Sequence, residues 1–186
     1  RQRALDENDR GSALFSSPSG DWDGGERGVA VLPGRDGGFT AAVATAVEYA
    51  TALSLSRVNV LAGIDKSGGS FAGATDRLVE RLCYAADQFA AHGLTMLLEH
   101  INPFDMPGYF VSTPNQAIAV LDKVGRDNAK LQYDVYHAQR MSGELVGFMR
   151  KHFARIGHVQ IADNPGRNQP GTGEINYKFI LDELDT

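Results

Sequence analysis

Short β-rich runs bounded by turn residues recur along this chain, each followed by a longer stretch whose apolar residues have helical spacing. This alternation excludes most folds open to a globular chain. The strand candidates are Ala13–Ser16, Val58–Leu61, Thr95–Glu99, Leu131–Asp134 and His158–Ala162. Helices are predicted near 39–53, 75–92, 114–124 and 143–155, with a last one starting near Asn176. Strands separated by helices imply βαβ units, hence a parallel sheet with right-handed crossovers. Five such units fit either an open doubly wound sheet or part of a barrel, and the pattern alone does not separate the two.

The helix ends carry chemical signals. In the 75–92 segment Leu78, Val79, Leu82, Cys83, Ala86, Phe89 and Ala90 form one apolar stripe, with Thr75 as the expected N-cap and Gly93 beyond the C-terminus. Thr113, Pro114 and Gln116 read as a capping box with proline at the first helical position, where its missing N–H costs least. Leu145, Phe148, Met149 and Phe153 supply the apolar side of the 143–155 helix.

Composition narrows the function classes. The chain carries 18 Lys and Arg against 23 Asp and Glu, a net charge of −5, with no basic cluster, so nothing marks a nucleic-acid partner. One cysteine, Cys83, excludes an internal disulfide and fits a reducing, cytoplasmic setting. No apolar run approaches the roughly 20 residues of a membrane helix. Ser67-Gly68-Gly69-Ser70 lacks the lysine of a phosphate-binding loop and reads as a plain connection.

In parallel α/β folds ligands bind beyond the carboxyl ends of the strands. Three successive strand ends deliver Glu99, Asp134 and Gln160 to one rim, all oxygen donors of the kind that suits Mg²⁺ or Mn²⁺. His137 and Arg167 lie just beyond, placed to hold an anionic substrate. Each carboxylate taken singly reads equally well as a helix cap or a solvated loop residue; the repetition at three consecutive ends is what points to a site.

The segments Gly20-Asp21-Trp22, Gly25-Glu26-Arg27-Gly28, Glu99-His100-Ile101-Asn102, Tyr133-Asp134-Val135-Tyr136-His137, His158 to Pro165 and Pro170 to Tyr177 resemble the hydroxypyruvate isomerase family, from about Gly11 onward. That family belongs to the wider xylose isomerase-like barrel group. The resemblance implies a (β/α)₈ TIM barrel, of which residues 1–186 would form a single partial domain, about strands three to seven, truncated at both ends. It implies interconversion of hydroxypyruvate and tartronate semialdehyde through an ene-diol, within glyoxylate and acid-sugar metabolism. Glu99 would be one acid/base group and a ligand of Mg²⁺ or Mn²⁺. Asp134 and Gln160 would complete the metal ligands here, and His137 and Arg167 would contact substrate. A second glutamate is expected beyond residue 186. His100 stands where relatives commonly carry proline. Following Glu99 directly, it should pack on the opposite side of the strand.

The alternatives are a 2-oxo-tetronate isomerase or sugar epimerase of the same barrel group, a nucleic-acid enzyme of that group, and a non-catalytic fragment or pseudoenzyme. The expected partner is a small hydroxy-oxo acid, with neither nucleic acid nor membrane, and with room for a homo-oligomer. Loop features such as Trp22 and the Glu26-Arg27 pair read as packing more readily than as a pocket cover. A partial barrel exposes two sheet edges, so the isolated chain is expected to be inactive and to self-associate. Sedimentation and thermal melting test this; a soluble monomer with one cooperative melt contradicts it.

Overall fold

Along each central strand, side chains alternate between two unlike surroundings, and this alternation decides which face meets the helices. Val58, Val60, Met96, Leu98, Leu131 and Tyr133 belong to the main apolar core. Asn59, Leu97, Glu99, Gln132 and Asp134 are equally buried but lie outside that core, on the other face.

The computed structural model describes residues 13–185, so the first residues of the expected match, 11 and 12, lie outside the described part. Strands β1 (Phe15–Ser16), β2 (Arg57–Val60), β3 (Thr95–Glu99), β4 (Ala129–Asp134) and β5 (Ile156–Gln160) pair in chain order as one all-parallel sheet. Helices α1 (Asp36–Ala52), α2 (Phe71–Ala90), α3 (Pro114–Val124), α4 (Val135–Met141), α5 (Leu145–His152) and α6 (Tyr177–Leu184) fill the connections and follow the last strand. Leu78, Leu82 and Phe89 of α2 and Ala117 and Leu121 of α3 join the strand residues above in the core.

Several boundaries differ from those expected, each for a local reason. Helix α2 starts at Phe71, because Ser70 is the cap: its hydroxyl accepts from the Gly73 N–H at 3.1 Å. Thr75 sits inside the helix and donates back to the Phe71 carbonyl at 2.8 Å. Helix α1 begins at Asp36, ahead of the expected 39, through a Gly37-Gly38 pair that gives no apolar period. Strand β5 runs from 156 to 160, two residues earlier than expected at both ends. Ala162 has no need of the ladder, since the Tyr177 hydroxyl both receives its N–H at 3.1 Å and donates to its carbonyl at 2.6 Å. The expected 143–155 helix ends at His152 and continues as a 3₁₀ turn, leaving Phe153 exposed and not part of a buried face. Helix α4 was not foreseen, its sequence having read as a strand running into a loop.

The capping box of α3 is present in full. Thr113 Oγ1 accepts from the Gln116 N–H at 3.2 Å, Gln116 Oε1 accepts from the Thr113 N–H at 3.2 Å, and Gly125 closes the helix with φ of 60°. Thr113→Ala removes one of these bonds and is expected to cost about 1 kcal/mol of stability, within a range of roughly 0.5–2. Urea denaturation measures it; an unchanged midpoint would mean that water replaces the cap without loss.

Candidate functional site

Glu99 ends β3 on the polar face, and burial there sets its chemistry. Its side chain is 7% exposed, and Asn59 Nδ2 of β2 donates to its Oε2 at 2.7 Å. Loss of hydration, reinforced by the charge of Asp134, raises its pKa from 4.5 to about 7, against the opposing pull of the Asn59 and Gln132 amides and Arg167. Asp134 ends β4 and caps α4: one oxygen accepts from the His137 backbone N–H at 3.0 Å. Its own pKa is raised, chiefly by burial. Asp134 thus serves as the cap of α4 with one oxygen while its carboxylate also faces Glu99.

The donor atoms of Glu99, Asp134 and His137 lie within 4.8 Å of one another. Gln160 stands beside Asp134 in the β4–β5 register, and its Oε1 accepts from Gln132 Nε2 at 2.6 Å. All three expected oxygen donors thus share one rim, with Gln132 linking Gln160 to Glu99.

His137 is held at both ring nitrogens. Its Nδ1 faces the Asn102 backbone N–H at 3.3 Å and the Asn102 side-chain nitrogen at 2.7 Å. The Asn102 side-chain oxygen is already engaged by the Asp105 N–H at 2.9 Å. Those contacts call on Nδ1 as acceptor. Burial, then the neighbouring Arg167 charge, lowers the His137 pKa to about 4, so the ring is neutral near pH 7. Nε2 lies 3.1 Å from the Arg167 guanidinium and 3.8 Å from Asp134 Oδ2. Arg167 carries only donors, so its contact calls on Nε2 as acceptor, and the two sides of the ring favour opposite tautomers. With Glu99 and Asp134, His137 forms a group among the described residues that could hold a metal ion.

Arg167 is reached from a loop. Its guanidinium lies over the Tyr136 ring at 5.2 Å and 3.4 Å from Asp105. His100 packs on the helix side as expected, fully buried against Tyr133. Both its ring nitrogens lack hydrogen-bond partners, and burial takes its pKa down to about 3. Trp22 and Glu26-Arg27 form a local cluster, with Arg27 over the Trp22 ring at 4.4 Å and Glu26 paired with Arg35.

Sequence reasoning gave no role to Asn59, Asn102 or Gln132. Asn59 and Gln132 had a signal: each is a polar residue at alternate spacing within an otherwise apolar strand of a buried parallel sheet. Asn102 was part of a recognised segment, but only the fold brings it against His137, 35 positions away.

Residues 2–186 match the family described as xylose isomerase-like TIM barrel. The chain belongs to that family. Among xylose isomerase-like relatives, the chain is 45% identical to hydroxypyruvate isomerase of Escherichia coli K12 over 92% of its own length and 67% of the relative's. It is 40% identical to 2-oxo-tetronate isomerase of Cupriavidus necator, over 98% of this chain and 70% of that one. A crystal structure from Brucella melitensis titled AP endonuclease, family 2, superposes with a TM-score of 0.94 at 38% identity, covering 99% of this chain and 71% of that one. The five parallel strands with their helices are therefore part of a TIM-barrel architecture.

Asn59 donates to the ionised form of Glu99, so Asn59→Ala is expected to move the Glu99 titration above its value near 7 in metal-free protein. Carboxyl ¹³C NMR follows it; a shift downward would mean that Asn59 does not favour the charged carboxylate.

Proposed function

We propose that this chain provides the substrate and base half of an isomerase acting on small hydroxy-oxo acids, with hydroxypyruvate as the leading substrate. The observation that carries it is the pairing of a buried carboxylate, Glu99, whose pKa is raised to about 7, with His137 and Arg167 in contact at the same rim. The hydroxypyruvate and 2-oxo-tetronate isomerases among its relatives support the same class of reaction.

The reaction moves a carbonyl group to the adjacent carbon. Ionised Glu99 takes a proton from the hydroxymethyl carbon, and the electron pair shifts onto the carbonyl oxygen to give an enediolate. A proton then returns to the former carbonyl carbon, while the hydroxyl proton passes between the two oxygens, so atoms and charge balance. A pKa near 7 suits this duty, because the same group is available ionised and can hold the proton afterwards. The resemblance implies a second acid/base glutamate for the return of the proton. Arg167 offers the substrate carboxylate a planar fork, with His137 beside it.

The donor set fits a hard divalent cation. Glu99 and Asp134 are buried carboxylates, Gln160 adds an amide oxygen, and the nearby Gln132 Oε1 and Asn59 Oδ1 are buried with no hydrogen-bond partner among the described residues. Mg²⁺ or Mn²⁺ held by Glu99, Asp134 and Gln160 would act as a Lewis acid, supplying several kcal/mol of stabilisation to the developing negative charge, about the scale usual for such sites. The nucleic-acid alternative finds less support: the cluster contains one histidine and two carboxylates among the described residues.

A coupled assay on the full-length protein tests the proposal, with hydroxypyruvate and a four-carbon 2-oxo acid in parallel, each with Mg²⁺, Mn²⁺ or chelator. Turnover of hydroxypyruvate supports the reading, preferential turnover of the longer acid moves it to the tetronate reaction, and turnover of neither overturns it.

Glu99→Gln separates catalysis from folding. It is expected to abolish turnover and to stabilise the metal-free protein at pH 8. The sign follows from linkage: the folded pKa exceeds 4.5, so folding takes up a proton and stability falls as pH rises from about 4.5 to about 7. Removing the buried charge should recover on the order of 1–3 kcal/mol. Near-normal turnover, or a lower melting temperature at pH 8, would contradict these roles.

A further inference from the structure

The loop from 163 to 175 joins β5 to α6 and carries Arg167, whose guanidinium contacts His137 Nε2 at 3.1 Å, lies over the Tyr136 ring and faces Asp105 at 3.4 Å. Those contacts act at the tip of a long, half-exposed side chain, and the loop backbone decides where the side chain of Arg167 starts. Its backbone is what is unusual: φ is 55°, the left-handed region that a non-glycine residue occupies only when its surroundings impose it.

The surroundings lead back to Asp163, 1% exposed at the start of the loop. Its Oδ1 accepts from the backbone N–H groups of Asn164 at 2.9 Å and Ile175 at 3.1 Å, and its Oδ2 accepts from Gly171 at 2.8 Å. Gly173 adds a further backbone N–H to the same carboxylate. Its main chain closes the tip as well, donating to the Asn168 carbonyl at 2.8 Å and receiving the Arg167 N–H at 2.8 Å. Burial alone would raise the Asp163 pKa, but these N–H groups together outweigh it and hold the carboxyl below its ordinary range. A charged acceptor with two oxygens, gathering amides from both ends of the loop, is something no neutral side chain of this size reproduces.

We propose that Asp163 is a positioning residue that fixes the shape of the 163–175 loop and thereby sets Arg167 beside His137 at the rim. This rests on the reading of Arg167 as the clamp for the substrate carboxylate. Asp163 itself touches no substrate.

The test is a double-mutant cycle in the full-length protein, combining Asp163→Asn with Arg167→Ala. The readouts are KM and kcat for hydroxypyruvate, and calorimetric binding of glycerate, a 2-hydroxy acid that keeps the carboxylate. Asp163→Asn replaces one accepting oxygen by an N–H₂ group facing the backbone donors. It is expected to weaken glycerate binding and raise KM at least 10-fold while changing kcat less than 3-fold. In the Arg167→Ala background the same substitution should change binding less than 2-fold, because the group it positions is gone. An equal loss in both backgrounds would overturn the positioning role while leaving the clamp intact. No loss from Arg167→Ala itself would overturn the clamp reading and this inference together. Should Asp163→Asn fail to fold, Gly171→Ala serves the same cycle, since nothing crowds its new methyl group while its φ of 88° disfavours alanine and so disturbs the Gly171 N–H bond to Asp163.

Discussion

Two carboxylates brought out of water on neighbouring strands set the terms for everything at the rim. Glu99 and Asp134 end β3 and β4 on the same face, so neither can ionise without regard to the other. Inside a protein, such a pair persists only if a proton, a cation or fixed hydrogen-bond donors offset the repulsion. All three are provided for here. Glu99 holds a proton up to about pH 7, amide donors reach it from β2 and β4, and the oxygen donors at the rim suit a divalent cation. The polar face of the sheet makes sense only in this light, because the same positions filled with branched apolar residues would give a more stable core and no base.

The supports of the site are of two kinds. Asp134 belongs to the first, in which one side chain serves both local structure and chemistry: by capping α4 it fixes the first turn that carries His137. The second kind acts at a distance along the chain. Asn102, from the loop after β3, contacts His137 Nδ1, and Asp163 gathers the loop that carries Arg167. His137 and Arg167 are therefore placed independently, one by a helix start and one by a loop anchor, and they meet because β4 and β5 are neighbours.

Such a division is well suited to a proton-transfer enzyme. The proposed base, Glu99, is held on a strand, where backbone hydrogen bonds leave it little freedom. The proposed substrate contacts, His137 and Arg167, sit on the short helix and loop that follow, where parallel α/β folds vary at least cost.

Much of this was legible in the sequence. The alternation of strand and helix patterns gave the parallel sheet, because burial on both faces and the helical period are local properties of the residues. Glu99, Asp134, Gln160, His137 and Arg167 could be placed on one rim because a parallel sheet puts all its strand ends on one side. The capping box at Thr113-Pro114-Gln116 was equally plain, since all its atoms lie within four residues. What the tertiary structure alone decided were relations between distant residues: Asn59 against Glu99, Asn102 against His137, the Tyr177 hydroxyl that releases Ala162 from β5, and the turning of Asp163 toward four backbone amides. Those depend on which segments the fold makes adjacent. The lowered pKa of His137 and the raised pKa of Glu99 likewise belong to neither residue alone, because burial and charged neighbours exist only once the chain has closed around them.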